Sequence, residues 1–104
     1  MSGAVYVVAP AAEADLLDAA EWIAADDPQA ARRFLDAAYK AFDMLVARPR
    51  LGHRRSDLTP LDVRFWPVRR RYLVVYRDGT PLRILRVLSA YRDARTILSG
   101  GEQH

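Results

Sequence analysis

Arginine is the side chain of this sequence whose placement best suits chemistry, because arginines recur beside aromatic residues throughout the second half of the chain. Guanidinium groups bind phosphates and carboxylates through paired hydrogen bonds, and aromatic rings stack on nucleobases. The candidate residues are Arg64, Arg69, Arg70, Arg71, Tyr91, Arg92 and Arg95. Their pattern predicts a surface for nucleic acid or for an acidic protein partner. The alternative is an arginine-biased surface that binds nothing.

The distribution of charge supports two different surfaces. The chain has 104 residues and a formal net charge of +3. Residues 1–47 contain three basic and eight acidic residues, whereas residues 48–104 contain thirteen arginines and five acidic residues. Segregation on this scale predicts that the two halves of the chain meet different partners.

Several classes of site are excluded or disfavoured by composition. Cysteine is absent, which rules out disulfides, thiolate metal ligands and cysteine nucleophiles. The two histidines, His53 and His104, have no partner at metal-ligand spacing, so we expect no metal and no cofactor. No apolar run approaches the ~18 residues that a membrane-spanning helix needs, and the N-terminus lacks the features of a secretion signal. We therefore expect no membrane association and a cytoplasmic location.

The first half of the chain predicts a strand followed by two helices. Residues 5–9, "VYVVA", are β-branched and aromatic, and Pro10 can open the helix that follows. The acidic residues of this first helix are expected on its solvated face. Asp27 and Pro28 form a helix start signal, and apolar residues then recur at steps of three and four until Pro49 and Gly52 end the second helix near residue 48. The two helices should form an antiparallel hairpin.

The second half predicts three strands and a short last helix. The strand-like segments are residues 61–68, 71–77 and 81–89, with Asp78 and Gly79 as the turn between the last two. The last strand lacks a simple alternation and is expected to be central, and Asp93 can cap a final helix. We predict an α+β fold in which the helical hairpin packs on a mainly antiparallel sheet. Residues 1–104 should form a single domain, ordered over about 4–98 with a tail at 99–104.

Four segments together resemble the RelE/ParE superfamily of toxins from type II toxin–antitoxin modules. They are "AEADLLDAAEWIAADDPQAARRFL", "LVARPRLGHRR", "RRRYLVVYRD" and "ILRVLSAYRD". The resemblance covers about residues 4–98 and is greatest to the ParE branch. It implies the fold predicted above and gives Arg92 the position of the terminal arginine of the superfamily.

The resemblance implies one of two activities. RelE-like members are ribosome-dependent mRNA endonucleases, and a site of that kind here would use Arg64, Tyr91, Arg92 and Arg95. That branch commonly has an arginine where this sequence has Leu73 and a tyrosine where it has Leu98. ParE-like members inhibit DNA gyrase without catalysis of their own. The absence of that arginine and that tyrosine favours the ParE-like activity. The segment "LSAYRD" departs from the common ParE pattern, and Tyr91 within it keeps the endonuclease alternative open.

The resemblance also implies a protein partner. A ParD-like antitoxin would wrap around the toxin in a hetero-oligomer, with a helix against the helical hairpin and an extended stretch along the sheet. Trp22 and Tyr39 lie off the main apolar stripes and are candidate antitoxin contacts, or alternatively half-buried residues at the edge of the core. The gyrase-contact candidates are Arg64, Arg69, Arg70, Arg71, Arg92 and Arg95. A third possibility is a non-toxic binding remnant of the fold.

Overall fold

A computed structural model of the chain describes residues 5–57 and 59–89. The elements are β1 (Tyr6–Val8), α1 (Pro10–Ala24), α2 (Pro28–Ala47), β2 (Arg64–Val68), β3 (Tyr72–Arg77) and β4 (Leu82–Ser89). The four strands form one sheet in the order β1-β4-β3-β2, with β1 parallel to β4 and the other neighbours antiparallel. This confirms the predicted α+β fold and the central position of β4. The predicted last helix, from Asp93, lies outside the described residues.

Both helices begin and end where local sequence signals predict. Proline occupies the first position of each helix, where its missing N–H costs no intrahelical hydrogen bond. The Asp27 carboxylate accepts hydrogen bonds from the backbone N–H groups of Gln29 and Ala30, both at 3.1 Å, and so satisfies two donors that the helix itself cannot. No helix in the described part of the chain is long and apolar enough to cross a membrane.

The main core lies between the helices and one face of the sheet. Leu16 of α1 and Phe34, Phe42 and Leu45 of α2 are buried against the sheet. Two aromatic contacts join α2 to the strands. The rings of Tyr6 and Phe42 meet edge to face at 5.4 Å, and those of Phe34 and Tyr72 lie 4.8 Å apart. The helical hairpin therefore covers one face of the sheet, from β1 across to β2.

The opposite face of the sheet carries a second, smaller apolar cluster. Its buried members are Val63, Phe65, Val75 and Leu88. A β-bulge allows β4 to contribute buried residues to both clusters, because the pairing of β3 with β4 shifts between Val75 and Tyr76. The shift leaves one extra residue in β4, which explains why the apolar residues of β4 show no simple alternation.

All four strands are shorter than the sequence predicts, and at β2 and β3 the reason is local. Residues 61–63 precede β2 instead of belonging to it, because the N–H of Leu61 bonds to the Thr59 hydroxyl and the N–H of Val63 bonds to the Leu61 carbonyl. Arg71 lies in the turn before β3. The turn at Asp78 and Gly79 is confirmed, and Gly79 has a φ of 154° that other residues rarely adopt.

Candidate functional site

Three consecutive arginines form the hairpin end between β2 and β3. Arg69, Arg70 and Arg71 are all exposed, and the strands on either side pair through Val68 and Tyr72. Arg69 and Arg70 have φ values of 52° and 66°, in the left-handed region that favours glycine and asparagine. We call these three residues the arginine hairpin. An arginine in this conformation costs about 1–2 kcal/mol, so the turn is locally strained.

The charges of the arginine hairpin are not neutralised by the described part of the chain. Four ion pairs are present there, and they join Arg33 to Asp27, Arg54 to Asp62, Arg55 to Asp57 and Arg86 to Asp15. None of these pairs includes a hairpin arginine. The three guanidinium groups therefore make the hairpin a cationic site that can bind anions.

An apolar groove runs beside the arginine hairpin, between α2 and β2. It has a volume of about 290 Å³. Its lining residues are Ala37, Lys40, Ala41, Met44, Trp66, Pro67, Val68 and Arg69. Trp66 supplies a half-buried aromatic surface, while Lys40 and Arg69 supply positive charge at the rim. The groove was not evident from sequence, although the placement of Trp66 among arginines was a partial signal.

Arg64 lies away from the arginine hairpin and has a partner in the fold. It stands at the opposite end of β2, about 14 Å along the strand from Val68 at the usual rise per residue. Its Nη1 donates a 2.8 Å hydrogen bond to the carbonyl oxygen of Gly52. The structure therefore brings Arg69, Arg70 and Arg71 together but leaves Arg64 in a separate group.

That separate group surrounds the hydroxyl of Tyr76, which ties the loop after α2 to the sheet. The hydroxyl donates a 2.6 Å hydrogen bond to the Pro49 carbonyl and accepts one of 2.8 Å from the Gly52 N–H. A Cβ at Gly52 would lie 2.6 Å from Cε1 and Oη of Tyr76, so only glycine fits there. Burial raises the pKa of Tyr76 above its ordinary value, while the Gly52 hydrogen bond and the charge of Arg64 oppose the shift.

Asp15 corrects the expectation that the acidic residues of α1 all lie in solvent. Its side chain is only 14% exposed, and it forms a two-point ion pair with Arg86 of β4, at 2.8 and 2.9 Å. The same carboxylate accepts the N–H of Val87 at 2.9 Å. Pairing of β1 with β4 reaches only as far as Ile84. The N–H of Val87 lies beyond the end of β1 and bonds to Asp15.

The two candidate antitoxin contacts differ in their surroundings. Trp22 of α1 is 73% exposed. Tyr39 of α2 is 42% exposed, and its ring meets Phe42 edge to face at 5.3 Å, so part of it belongs to the edge of the core. Both side chains lie on the helical hairpin, on different helices.

The remaining candidates, Tyr91, Arg92 and Arg95, lie outside the described residues. Within residues 5–57 and 59–89, no three His, Asp or Glu side chains lie close enough together to hold a metal ion. His53 is exposed, and its backbone pairs with Phe65 of β2. The described groups thus form a cationic surface with an apolar groove beside it.

Comparison with protein families assigns the chain. A family model described as "ParE toxin of type II toxin-antitoxin system, parDE" matches residues 6–94. The chain belongs to the ParE toxin family. A solved structure described as "Chromosomal ParDE TA system from P. aeruginosa" has the same fold, with a TM-score of 0.67 at 20% identity. The match covers 82% of this chain and 94% of that one. No curated protein sequence is significantly similar to the chain.

This ParE-family chain is therefore a toxin component of a type II toxin–antitoxin system. The membership confirms the resemblance seen in the sequence. The structure adds a physical reason for one of the resembling segments, "LVARPRLGHRR", which contains Leu45, Pro49 and Gly52. Leu45 is buried in the core, while Pro49 and Gly52 hold the Tyr76 hydroxyl between them.

Proposed function

We propose that this ParE-family toxin inhibits DNA gyrase by binding the enzyme on its DNA, without catalysis of its own. The observation that carries the proposal is the arginine hairpin, an exposed cationic site without an acidic partner in the described part of the fold. Arg92 and Arg95 remain predicted contributors to target binding. Arg64 is a weaker candidate, because its guanidinium supports the Gly52 loop.

A supercoiling assay with purified toxin and gyrase tests the proposal. We expect reduced supercoiling and trapped gyrase–DNA cleavage complexes. Substitution of Arg69→Gln, Arg70→Gln and Arg71→Gln together should weaken the inhibition by at least tenfold. Arg50→Gln with Arg83→Gln, which removes two exposed charges away from the hairpin, is the control for Arg69→Gln with Arg70→Gln, and it should leave inhibition nearly unchanged. Undiminished supercoiling at excess toxin would refute the proposal.

We also propose that a ParD-like antitoxin neutralises the toxin in a cytoplasmic hetero-oligomer. The solved relative is described as a ParDE toxin–antitoxin system, which supports a partner of this kind. Trp22 is the exposed apolar side chain best suited to anchor a helix on the helical hairpin, with Tyr39 as a second contact. The acidic first half of the chain and the basic second half offer such a partner two surfaces of opposite charge.

Calorimetric titration with the antitoxin encoded beside this gene tests these contacts. Trp22→Ala should weaken binding by about 30-fold or more if the side chain is a buried anchor in the complex. Tyr39→Ala should have a smaller effect, because part of the ring already contacts Phe42. Leu61→Ala is a control, since Leu61 is exposed in the loop before β2. Equal affinities for Trp22→Ala and the unaltered toxin would remove Trp22 from the interface.

The endonuclease alternative has less support from the structure. It requires Arg64, whose Nη1 is bonded to Gly52, and Leu73 provides no cation on β3. Site-specific cleavage of ribosome-bound mRNA after induction, lost in Arg92→Ala, would favour it over gyrase inhibition. Normal growth on induction without antitoxin would instead favour a non-toxic remnant.

A further inference from the structure

We propose that the arginine hairpin binds the phosphate backbone of double-stranded DNA. We further propose that its strained backbone is retained for this contact. The inference rests on the proposed function and adds the ligand of the hairpin. That ligand is the DNA that gyrase holds, not the surface of gyrase itself. It concerns Arg69, Arg70 and Arg71.

The residue types at the turn are the first argument. Asn-Gly can adopt two successive left-handed backbone conformations without strain, and it is the usual residue pair in tight hairpin turns. This chain has Arg69 and Arg70 there, with φ values of 52° and 66°. Strained backbone persists at sites where the side chains serve a function, and here nothing in the described fold uses the two guanidinium groups.

The shape of the site is the second argument. The three arginines follow one another at one end of the sheet, on the turn of its edge hairpin, where β3 also pairs with β4 through Tyr72 and Ser89. A turn of three residues buries too little area to hold a protein partner by itself, because stable protein interfaces bury over about 1,000 Å². Duplex DNA presents closely spaced phosphates that match forked guanidinium donors.

Salt-dependent binding to a 20-base-pair DNA duplex, followed by fluorescence anisotropy, tests the inference. Three arginine–phosphate contacts predict that log K falls against log salt with a slope of about −2.7. The variant Arg69→Asn with Arg70→Gly should lose about 1.8 of that slope and bind at least tenfold more weakly at 100 mM salt. The same variant should melt about 4–8 °C higher, because the turn is relaxed.

Weaker DNA binding together with a higher melting temperature shows that the two arginines bind DNA and do not stabilise the fold. The control variant Arg50→Gln with Arg83→Gln removes the same charge away from the hairpin and should keep most of the slope. Equal DNA binding by the hairpin variant and the unaltered toxin, an equal loss in the control, or a lower melting temperature would overturn the inference. Tighter binding to an RNA duplex of the same length would overturn the choice of DNA.

Two outcomes distinguish this inference from the function it rests on. If the duplex does not bind but the hairpin variant still loses gyrase inhibition, the arginines contact gyrase itself. The inference then fails, while gyrase inhibition stands. If the duplex binds as expected but supercoiling is undiminished, the hairpin is a DNA-binding site and gyrase inhibition fails.

Discussion

At the scale of single residues, Tyr76 and Gly52 constrain each other through a hydrogen bond and a close steric contact. The Tyr76 hydroxyl provides the partner for both the Gly52 N–H and the Pro49 carbonyl. Tyr76→Phe removes both hydrogen bonds, and we expect it to lower the free energy of unfolding by about 1–3 kcal/mol. Gly52→Ala should cost a similar amount through steric overlap with the Tyr76 ring.

Urea unfolding followed by circular dichroism measures both changes. Tyr39→Phe is the matched control for Tyr76→Phe, because Tyr39 is partly exposed and contacts Phe42 through its ring. We expect the control to stay within about 0.5 kcal/mol of the unaltered protein. Equal stabilities for Tyr76→Phe and Tyr39→Phe would contradict the role of the Tyr76 hydroxyl.

Asp15 provides a second prediction at this scale. Asp15→Ala removes the carboxylate from Arg86 and from the Val87 N–H, and we expect a loss of about 2–3 kcal/mol. Asp15→Asn keeps an acceptor oxygen and should cost less. Asp18→Ala, an exposed acid on the same helix, should change stability little. Thermal unfolding ranks the three variants, and an Asp15→Ala protein as stable as Asp18→Ala would show that the ion pair contributes nothing.

At the scale of elements, the start of α2 depends on one carboxylate. Asp27 satisfies the N–H groups of Gln29 and Ala30, and its 3.8 Å ion pair with Arg33 is exposed and contributes little. Asp27→Ala should therefore lower the free energy of unfolding by about 1 kcal/mol, while Asp27→Asn should lower it much less. Chemical denaturation distinguishes them, with Asp26→Ala as the control. A larger loss in Asp26→Ala would place the cap elsewhere.

Among the elements, the sequence predicted the helices better than the pairing of the strands. The positions of the helices and the succession of helices and strands along the chain were predicted correctly, because proline, aspartate and glycine act through their own backbone and its immediate neighbours. The bulge in β4 was not predicted, although the irregular apolar pattern of Leu82–Ser89 indicated it. A bulge depends on how two strands align, and the pattern of one strand does not specify that.

At the scale of the whole molecule, stability should fall in alkali. Burial raises the pKa of Tyr76 and of Tyr6 above 10.0, the ordinary value of the side chain. Both groups are therefore neutral in the folded state at pH values where the unfolded state has begun to ionise. Their contribution is complete below about pH 10 and is lost as the pH rises through the folded pKa values.

Urea unfolding at intervals from pH 8 to pH 11 measures this dependence. The free energy of unfolding should decrease above about pH 10, and Tyr76→Phe should show a shallower decrease than the unaltered protein. The comparison is of slopes, since the variant is less stable at every pH. Parallel slopes would mean that Tyr76 does not contribute to the alkaline loss.

The sequence by itself determined the α+β architecture and the polarised charge, because each depends on composition or on local signals along the chain. Its four segments that resemble the RelE/ParE superfamily indicated the family. It also singled out Arg69, Arg70 and Arg71 as a group. Only the tertiary structure decided that Arg64 supports Gly52, that Asp15 pairs with Arg86, and that two hairpin arginines have left-handed backbones. These features depend on contacts between distant segments and on the alignment of strands, which the order of residues does not reveal.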